Sequence, residues 1–349
     1  MPVVALLALV VSWGRHPVWF ILVVEAVLLV GSVLAAVQHA EVIAHRIGEP
    51  FGSLVLAVSV TIIEVALIVT LTLSSDKDTS TLARDTVFAA VMLTMNGIVG
   101  ISLFVGAVKY RLAVFNAEGA GSALGSVILL ATLTMVVPDF TTSLPGPNLV
   151  QAQLTFVAVA SLLVYGLFVF TQTVRHRDFF LPPGAEDEDE EVHAALPGKV
   201  AMIASVVLLP ASLLSVVGLT KIESPAVEAG VAWLGFPPSF VGVVIAILVL
   251  LPESISAVRA ALNNRTQISV NLGYGSAMAS IGLTIPTLAI MSNWVPMHLS
   301  LGLQPIQIAM LVISAMVAIL TVVPGRAKTL HAGLMLVLLA TFIFLAIVP

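Results

Sequence analysis

One stretch of the chain reads Phe51-Gly-Ser-Leu-Val-Leu-Ala-Val-Ser-Val-Thr-Ile-Ile-Glu64-Val-Ala-Leu-Ile68, with a single acidic residue among apolar neighbours. A second stretch reads Phe240-Val-Gly-Val-Val-Ile-Ala-Ile-Leu-Val-Leu-Leu-Pro-Glu253-Ser-Ile-Ser-Ala257, with a Glu in the same place. In both stretches a Phe precedes the Glu by thirteen residues. A carboxylate in hydrocarbon costs at least ~2.5 kcal/mol on insertion scales, so each Glu is a candidate functional residue. Two of them in a repeated context predict one site built from two halves of the chain.

The composition places both stretches in a lipid bilayer. Of 349 residues, 59% are hydrophobic and only 9% are charged, whereas soluble domains have about 25% charged residues. The apolar runs have the length of helices rather than of barrel strands, which predicts an all-α, polytopic membrane protein. The sequence has no Cys, which excludes disulfides, thiol nucleophiles and Cys-based metal sites. The net charge of −5 comes largely from one acidic run and indicates no nucleic-acid partner.

Hydrophobic runs separated by polar residues predict about eleven transmembrane helices. They lie near residues 2–14, 17–37, 51–74, 86–108, 122–138, 149–173, 199–219, 238–260, 269–292, 303–323 and 328–348. The first run is short for a span of about 20 residues, so the sequence leaves its crossing open.

The longest loop, residues 174–198, divides the chain into two halves. It contains the acidic run Glu186-Asp-Glu-Asp-Glu-Glu191. We therefore predict an extra N-terminal helix in 1–16, a first five-helix repeat in 17–173, an acidic linker in 174–198 and a second five-helix repeat in 199–349. Because five is odd, the second repeat enters the membrane upside down relative to the first. This is the inverted-repeat arrangement of secondary transporters.

The distribution of Lys and Arg predicts the orientation. If all eleven runs span the membrane, ten basic residues fall on one side and four on the other. The larger set is Arg46, Lys109, Arg111, Arg175, Arg177, Lys199, Arg259, Arg265, Arg326 and Lys328; the smaller is Arg15, Lys77, Arg84 and Lys221. The positive-inside rule puts the larger set, and with it the acidic linker, in the cytoplasm.

The same topology predicts where the two glutamates meet. Phe51 then begins its helix at the cytoplasmic side, and Phe240 begins its helix at the outer side. Each Glu lies thirteen residues further on, about 20 Å along a helix at 1.5 Å per residue. In a hydrocarbon core of about 30 Å, both carboxylates fall near the midplane, arriving from opposite faces.

Glu64 and Glu253 are the predicted cation and proton ligands. Two neighbouring carboxylates cannot both stay ionised without a counter-charge, because desolvation and like-charge repulsion oppose it. A site that holds either protons or a cation is the minimal element of proton/cation exchange. The alternative is that each Glu pairs separately with an unrelated group, but neither apolar run contains a Lys or Arg.

Further oxygen ligands are expected near the second glutamate and in the helix after each Glu helix. Pro252 removes a backbone hydrogen bond and should free the carbonyl of Leu248, a hard oxygen ligand suited to Ca²⁺ or Na⁺. Asn96, Ser280 and Thr284 supply neutral oxygens in apolar surroundings. The alternatives are a packing kink at Pro252 and hydrogen bonds between helices for the other three.

Other polar residues have simpler interpretations. Glu25 lies within an early helix, where we expect it to pair locally or face water; a proton relay is the alternative. His39, Glu41 and His45 have helical spacing without an HExxH sequence, so we interpret them as a solvated polar face rather than a zinc site.

Several motifs resemble a known transporter family. They are Gly48-Glu-Pro-Phe-Gly-Ser-Leu54, Ile63-Glu-Val-Ala-Leu-Ile68, Leu251-Pro-Glu253, Val258-Arg-Ala-Ala-Leu-Asn-Asn264, and Gly275-Ser276 with Ile281-Gly-Leu-Thr-Ile-Pro286. In this order and spacing they resemble the ChaA-type bacterial calcium/proton antiporters of the calcium/cation antiporter superfamily. The resemblance runs from about residue 17 to the end.

The resemblance implies a multi-pass protein of the bacterial inner membrane that exports Ca²⁺, or Na⁺ and K⁺, against proton entry by alternating access. It implies that Glu64 and Glu253 are the shared ligands and that no cofactor is needed. The broader calcium/proton exchangers have Gly-Asn shortly before each repeat Glu, where this chain has Thr61-Ile-Ile-Glu64 and Leu251-Pro-Glu253. The amide oxygens usual there are missing, so transport of monovalent ions stays an open alternative to transport of Ca²⁺. A passive cation channel is the alternative function, although two isolated acids favour an occluded site over a continuous polar pore.

Overall fold

The fold is that of an all-α membrane protein. A computed structural model describes residues 1–14, 19–48, 51–74, 78–182, 197–294 and 298–349, without the side chain of Ser53. The acidic run 186–191, Arg15 and Lys77 lie outside the described residues. The helices are α1 (Pro2–Ser12), α2 (Trp19–Ile47), α3 (Phe51–Ser74), α4 (Leu82–Tyr110), α5 (Ala117–Phe140), α6 (Gln151–Arg175), α7 (Lys199–Trp233), α8 (Phe240–Leu262), α9 (Thr266–Met291), α10 (Pro305–Val322) and α11 (Thr329–Ile347).

Short elements join the helices at one end of the bundle. Strand β1 (Ala113–Val114) pairs antiparallel with β2 (Arg326–Ala327), which ties the α4–α5 connection to the α10–α11 connection. A 3-10 turn, Arg177–Phe180, follows α6. These connections satisfy backbone groups where the helices end.

Ten described helices are long and apolar enough to cross a membrane, and α1 is shorter. With 11 residues, α1 is about 16 Å long, roughly half of a hydrocarbon core. The prediction that a helix ends near 219 was wrong, because α7 continues to Trp233. The polar stretch Lys221-Ile-Glu-Ser-Pro225 indicated a break, but the helix carries Pro225 inside it, as membrane helices tolerate.

The two glutamate helices and their successors form the centre of the bundle. The apolar window of α4 is 83% buried inside the protein, whereas that of α11 is 17% buried. Helix α8 packs along α4 and α9, and α3 packs against α2 and α7. Burial of α4 on all sides explains its nearly continuous run of small and apolar residues, since a helix that is apolar all round belongs inside.

The helix ends define two sides of the bundle. All four tryptophans, Trp13, Trp19, Trp233 and Trp294, are at least half exposed at helix ends on one side, here called the tryptophan side. The other, basic side holds Arg46, which donates to Pro197 O (3.2 Å), and Lys109, which donates to Leu262 O (2.7 Å). Exposed tryptophans at helix ends are typical of a membrane–water interface.

Close packing of α8 on α4 gives a stability test. A Cβ at Gly242 would lie 2.8 Å from Thr86 N and 2.9 Å from the carbonyl carbon of Asp85. Because these are backbone atoms, the helices must separate to admit it. We expect Gly242→Ala to destabilise the protein by about 1–3 kcal/mol, measured by thermal unfolding in detergent. Gly230→Ala is the control, since a Cβ there meets nothing within 4 Å; equal melting of the two variants would contradict the packing argument.

Candidate functional site

Glu64 of α3 lies at the centre of the bundle and is bonded to α9. It is 1% exposed. Its Oε2 accepts hydrogen bonds from Ser280 Oγ (3.0 Å) and Thr284 Oγ1 (2.8 Å). Its Oε1 is buried and has no hydrogen-bond partner within the described part of the chain. One carboxylate oxygen is thus held in place by hydroxyl groups, and the other has none of its hydrogen-bonding capacity used by the described residues.

The bonded hydroxyl groups lie in a π-helical turn. Ser280–Thr284 is π-helical within α9, and Leu93–Ile98 is π-helical within α4. Each of these helices directly follows a glutamate helix. A π turn inside an α-helix is uncommon and is found often at functional sites. The two distortions therefore mark the same place in both halves of the chain.

Glu253 of α8 lies at the wall of a cavity. Its side chain is 8% exposed, and its Oε2 has no hydrogen-bond partner among the described residues. The cavity has a volume of about 380 Å³, and its polar lining includes Glu41, Gln172, Ser256 and Asn271. The wall also includes Val60 and Ala57, which lie about one and two helical turns before Glu64. The cavity therefore reaches from the basic side towards both glutamates.

On the tryptophan side, two cavities lined by described residues do not reach the glutamates. They have volumes of about 80 and 220 Å³. Both are lined by Asp85, and their described lining residues include neither Glu64 nor Glu253. The larger one also reaches Arg84. Of these three cavities, the one that contains Glu253 in its wall lies towards the basic side.

The predicted site residues are only partly brought together. Glu64 contacts Ser280 and Thr284, and Glu253 shares its cavity with Glu41 and with Ala57 and Val60 of the Glu64 helix. The amide of Asn96 instead donates to Ser314 Oγ in α10 (2.9 Å). No group of three or more His, Asp or Glu side chains able to hold a metal ion occurs among the residues that the structure describes.

One interpretation of a polar residue agrees with the structure and another needs correction. Glu41 is exposed, as expected of a solvated face, and it also lines the cavity at Glu253. Glu25 was expected to pair locally or face water, yet it is 1% exposed, and neither carboxylate oxygen has a partner in the described chain. Both residues lie on α2, whose packing against the rest of the bundle cannot be read from sequence.

A buried ion pair on the tryptophan side was missed by sequence reasoning. Arg84 donates from Nε (2.9 Å) and Nη2 (2.7 Å) to Asp85 Oδ1, and from Nη1 to Gly302 O (3.0 Å). Thr81 Oγ1 donates to Asp85 Oδ2 (3.0 Å). The charge distribution places Arg84 among the four basic residues of the predicted outer side. The adjacent opposite charges of Arg84 and Asp85, at the start of an apolar helix, could have indicated an ion pair. The bonds fix the start of α4 to the segment before α10.

Comparison with known proteins assigns the chain to a family. The family described as sodium/calcium exchanger protein matches residues 17–174 and 204–348. The chain belongs to this family. The two matched segments contain Glu64 and Glu253, one in each.

Individual relatives cover nearly the whole exchanger. The sodium-potassium/proton antiporter ChaA of Escherichia coli K12 is 31% identical over 346 residues, which are 98% of this chain and 93% of ChaA. The protein y4hA of Sinorhizobium fredii is 42% identical over 334 residues, 94% of this chain and 89% of y4hA. The solved structure of native YfkE has a TM-score of 0.75 at 17% identity, covering 100% of this chain and 97% of YfkE. The exchanger is therefore a secondary transporter and not an enzyme.

The hydroxyl groups at Glu64 give a test of the site. Thr284→Val keeps the shape of the side chain and removes one of two hydrogen bonds to Oε2. A hydrogen bond to a charged group contributes about 1.5–3 kcal/mol. We expect the half-saturating cation concentration for proton flux in sealed vesicles to rise about tenfold or more.

The control for this substitution lies one turn away. Thr287 Oγ1 donates to the backbone carbonyl of Leu283 (2.7 Å), so Thr287→Val removes a hydroxyl group from the same helix without touching Glu64. An equal effect of the two substitutions would show that the loss comes from α9 itself and not from the carboxylate.

Proposed function

We propose that the exchanger exports Ca²⁺, and also Na⁺ or K⁺, in exchange for protons, with Glu64 and Glu253 as shared ligands. The observation that carries this proposal is the state of the two carboxylates. Each is buried and keeps at least one oxygen without a hydrogen-bond partner in the described residues. Buried carboxylates need a proton or a cation as counter-charge.

Exchange follows from competition for the same oxygens. When protons occupy Glu64 and Glu253, the carboxyl groups are neutral and release the cation. When a cation binds, it holds both groups deprotonated and displaces the protons. Ser280 and Thr284 keep Oε2 of Glu64 oriented in either state, because a hydroxyl group can donate to a carboxylate or accept from a carboxylic acid.

The choice of ion is supported by the relatives and by the ligand set. The Escherichia coli relative is named a sodium-potassium/proton antiporter, and YfkE is named a Ca²⁺/H⁺ antiporter. Ca²⁺ takes six to eight oxygens, and two carboxylates supply at most four. The remainder would come from Ser280, Thr284, the Leu248 carbonyl, Asn96 after rotation away from Ser314, and water.

The cavity supports an inward-facing state of alternating access. With the basic side in the cytoplasm of a bacterial inner membrane, the cavity at Glu253 opens inwards and the tryptophan side is closed. The two five-helix halves, 17–173 and 199–349, then act as inverted repeats about the glutamates, and the linker 174–198 is cytoplasmic. The outward-facing state would open the contacts around Asp85.

Neutralising the glutamates tests the shared site. We expect Glu64→Gln and Glu253→Gln each to abolish cation-driven proton flux in sealed vesicles, because an amide keeps the shape but cannot alternate between proton and cation. The flux is measured against Ca²⁺, Na⁺, K⁺ and Mg²⁺ in turn.

The control is Glu118→Gln, at an exposed residue in the first turn of α5, which should exchange normally. Retained exchange in either folded glutamate variant would disprove the shared site. Cation flux across the vesicle membrane that moves no protons would instead indicate a passive channel.

The direction of the cavity is tested by labelling. The exchanger has no native cysteine, so single cysteines report without background. Ser256 lines the cavity at Glu253, and Thr79 lines a cavity on the tryptophan side. We expect a membrane-impermeant thiol reagent to label Ser256→Cys from the cytoplasmic face only and Thr79→Cys from the outer face only. The opposite pattern would invert the proposed orientation.

A further inference from the structure

A second pair of acidic side chains lies buried away from Glu64 and Glu253. Glu25 of α2 is 1% exposed, and Glu223 of α7 is 5% exposed. Neither oxygen of Glu25 has a hydrogen-bond partner in the described chain, and Oε1 of Glu223 has none either. Unbonded carboxylates in hydrocarbon require a counter-charge or a proton.

Two hydrogen bonds fix the antiparallel register of α2 and α7. His39 Nδ1 lies 3.1 Å from Ser205 Oγ, and Arg46 bonds the carbonyl just before α7. Fourteen residues before His39 on α2 is Glu25, and fourteen residues after Ser205 on α7 is Leu219. In an antiparallel pair, Glu25 therefore lies opposite Leu219. Glu223 is one turn further, about 6 Å along the axis. The register therefore places the two glutamates about one helical turn apart along the α2–α7 interface.

The surroundings of the pair are apolar. Leu29, Val216 and Leu219 belong to one buried cluster between α1, α2, α3, α7 and α8. The Oγ of Ser224 is also buried without a hydrogen-bond partner in the described residues. This hydroxyl group, next to Glu223 in sequence, is a further unpaired polar group at the same level of the membrane.

Few charged groups face the pair from the described elements. Helix α3 contributes only Glu64 and α1 only its amino terminus. On α7, the Lys221 ammonium lies over the Trp13 ring, 5.2 Å from its centroid. Glu228 lies further towards the tryptophan side, and α8 contributes Glu253 and, near its basic end, Arg259.

We propose that Glu25 and Glu223 form a second proton-binding site, holding at least one proton between them at neutral pH. The protonated carboxyl group of one residue donates a hydrogen bond to the carboxylate of the other. The shared proton thus gives each group the hydrogen-bond partner that it lacks among the described residues. The pair is six residues from Trp19 and ten from Trp233, about 9 and 15 Å along the helices, so protons reach it from the tryptophan side. Loss of the proton leaves two like charges facing each other and loosens α2 from α7.

Infrared difference spectroscopy tests this site independently of the transport site. The full chain carrying both Glu64→Gln and Glu253→Gln is placed in lipid vesicles, and the pH is raised stepwise. We expect the carbonyl stretch of a buried carboxylic acid to be present at neutral pH and to vanish at alkaline pH. Adding Glu25→Gln or Glu223→Gln should remove at least half of that band. Adding Glu118→Gln, at an exposed acid, should leave it unchanged.

The outcome is decisive in both directions. Glu223→Asp keeps an acid at the pair and should shift the band without removing it, which guards against loss of the band through misfolding. A band untouched by the Glu25 and Glu223 substitutions, or no band at neutral pH, overturns the proposal. Because Glu64 and Glu253 are absent throughout, the result does not depend on whether they carry ions.

Discussion

The structure depends on the cost of placing a carboxylate in hydrocarbon. Such a group must find a proton, a cation or donors of hydrogen bonds. Glu64 finds two hydroxyl donors at one oxygen and leaves the other without a partner in the described residues. The packing of α3 against α9 at this point is therefore set by polar bonds within an otherwise apolar core. The incomplete satisfaction of Glu64 is what the proposed transport site requires, because a fully bonded carboxylate would have no oxygen left for an ion.

The two glutamates are not equivalent. Glu64 is bonded to the opposite half of the chain, whereas Glu253 faces a cavity of about 380 Å³ with Glu41. The alternating access that we propose accounts for this difference, because one static state of such a transporter exposes one end of the site and closes the other. The buried pair of Arg84 and Asp85 fixes the start of α4 on the tryptophan side.

Much of the fold was predictable because long apolar runs have few alternatives in a membrane. The sequence predicted the helix pairs that carry Glu64 and Glu253, and the hydroxyl groups of Ser280 and Thr284 as their neighbours. It could not predict that Asn96 bonds Ser314, because which face of α4 meets α10 depends on helix rotation. The sequence equally could not predict that Glu25 and Glu223 are buried. The continuation of α7 through Pro225 depends on contacts with α2 and α3 that no local pattern records.

The bonds from Glu64 to Ser280 and Thr284, and from Asn96 to Ser314, all join a residue before position 174 to one after position 198. Neither segment thus contains both partners of any of these bonds. A cut in the segment between them would leave Glu64 and the hydroxyl groups that hold its Oε2 on separate polypeptides. The two pieces would then have to associate in the membrane before this contact could form.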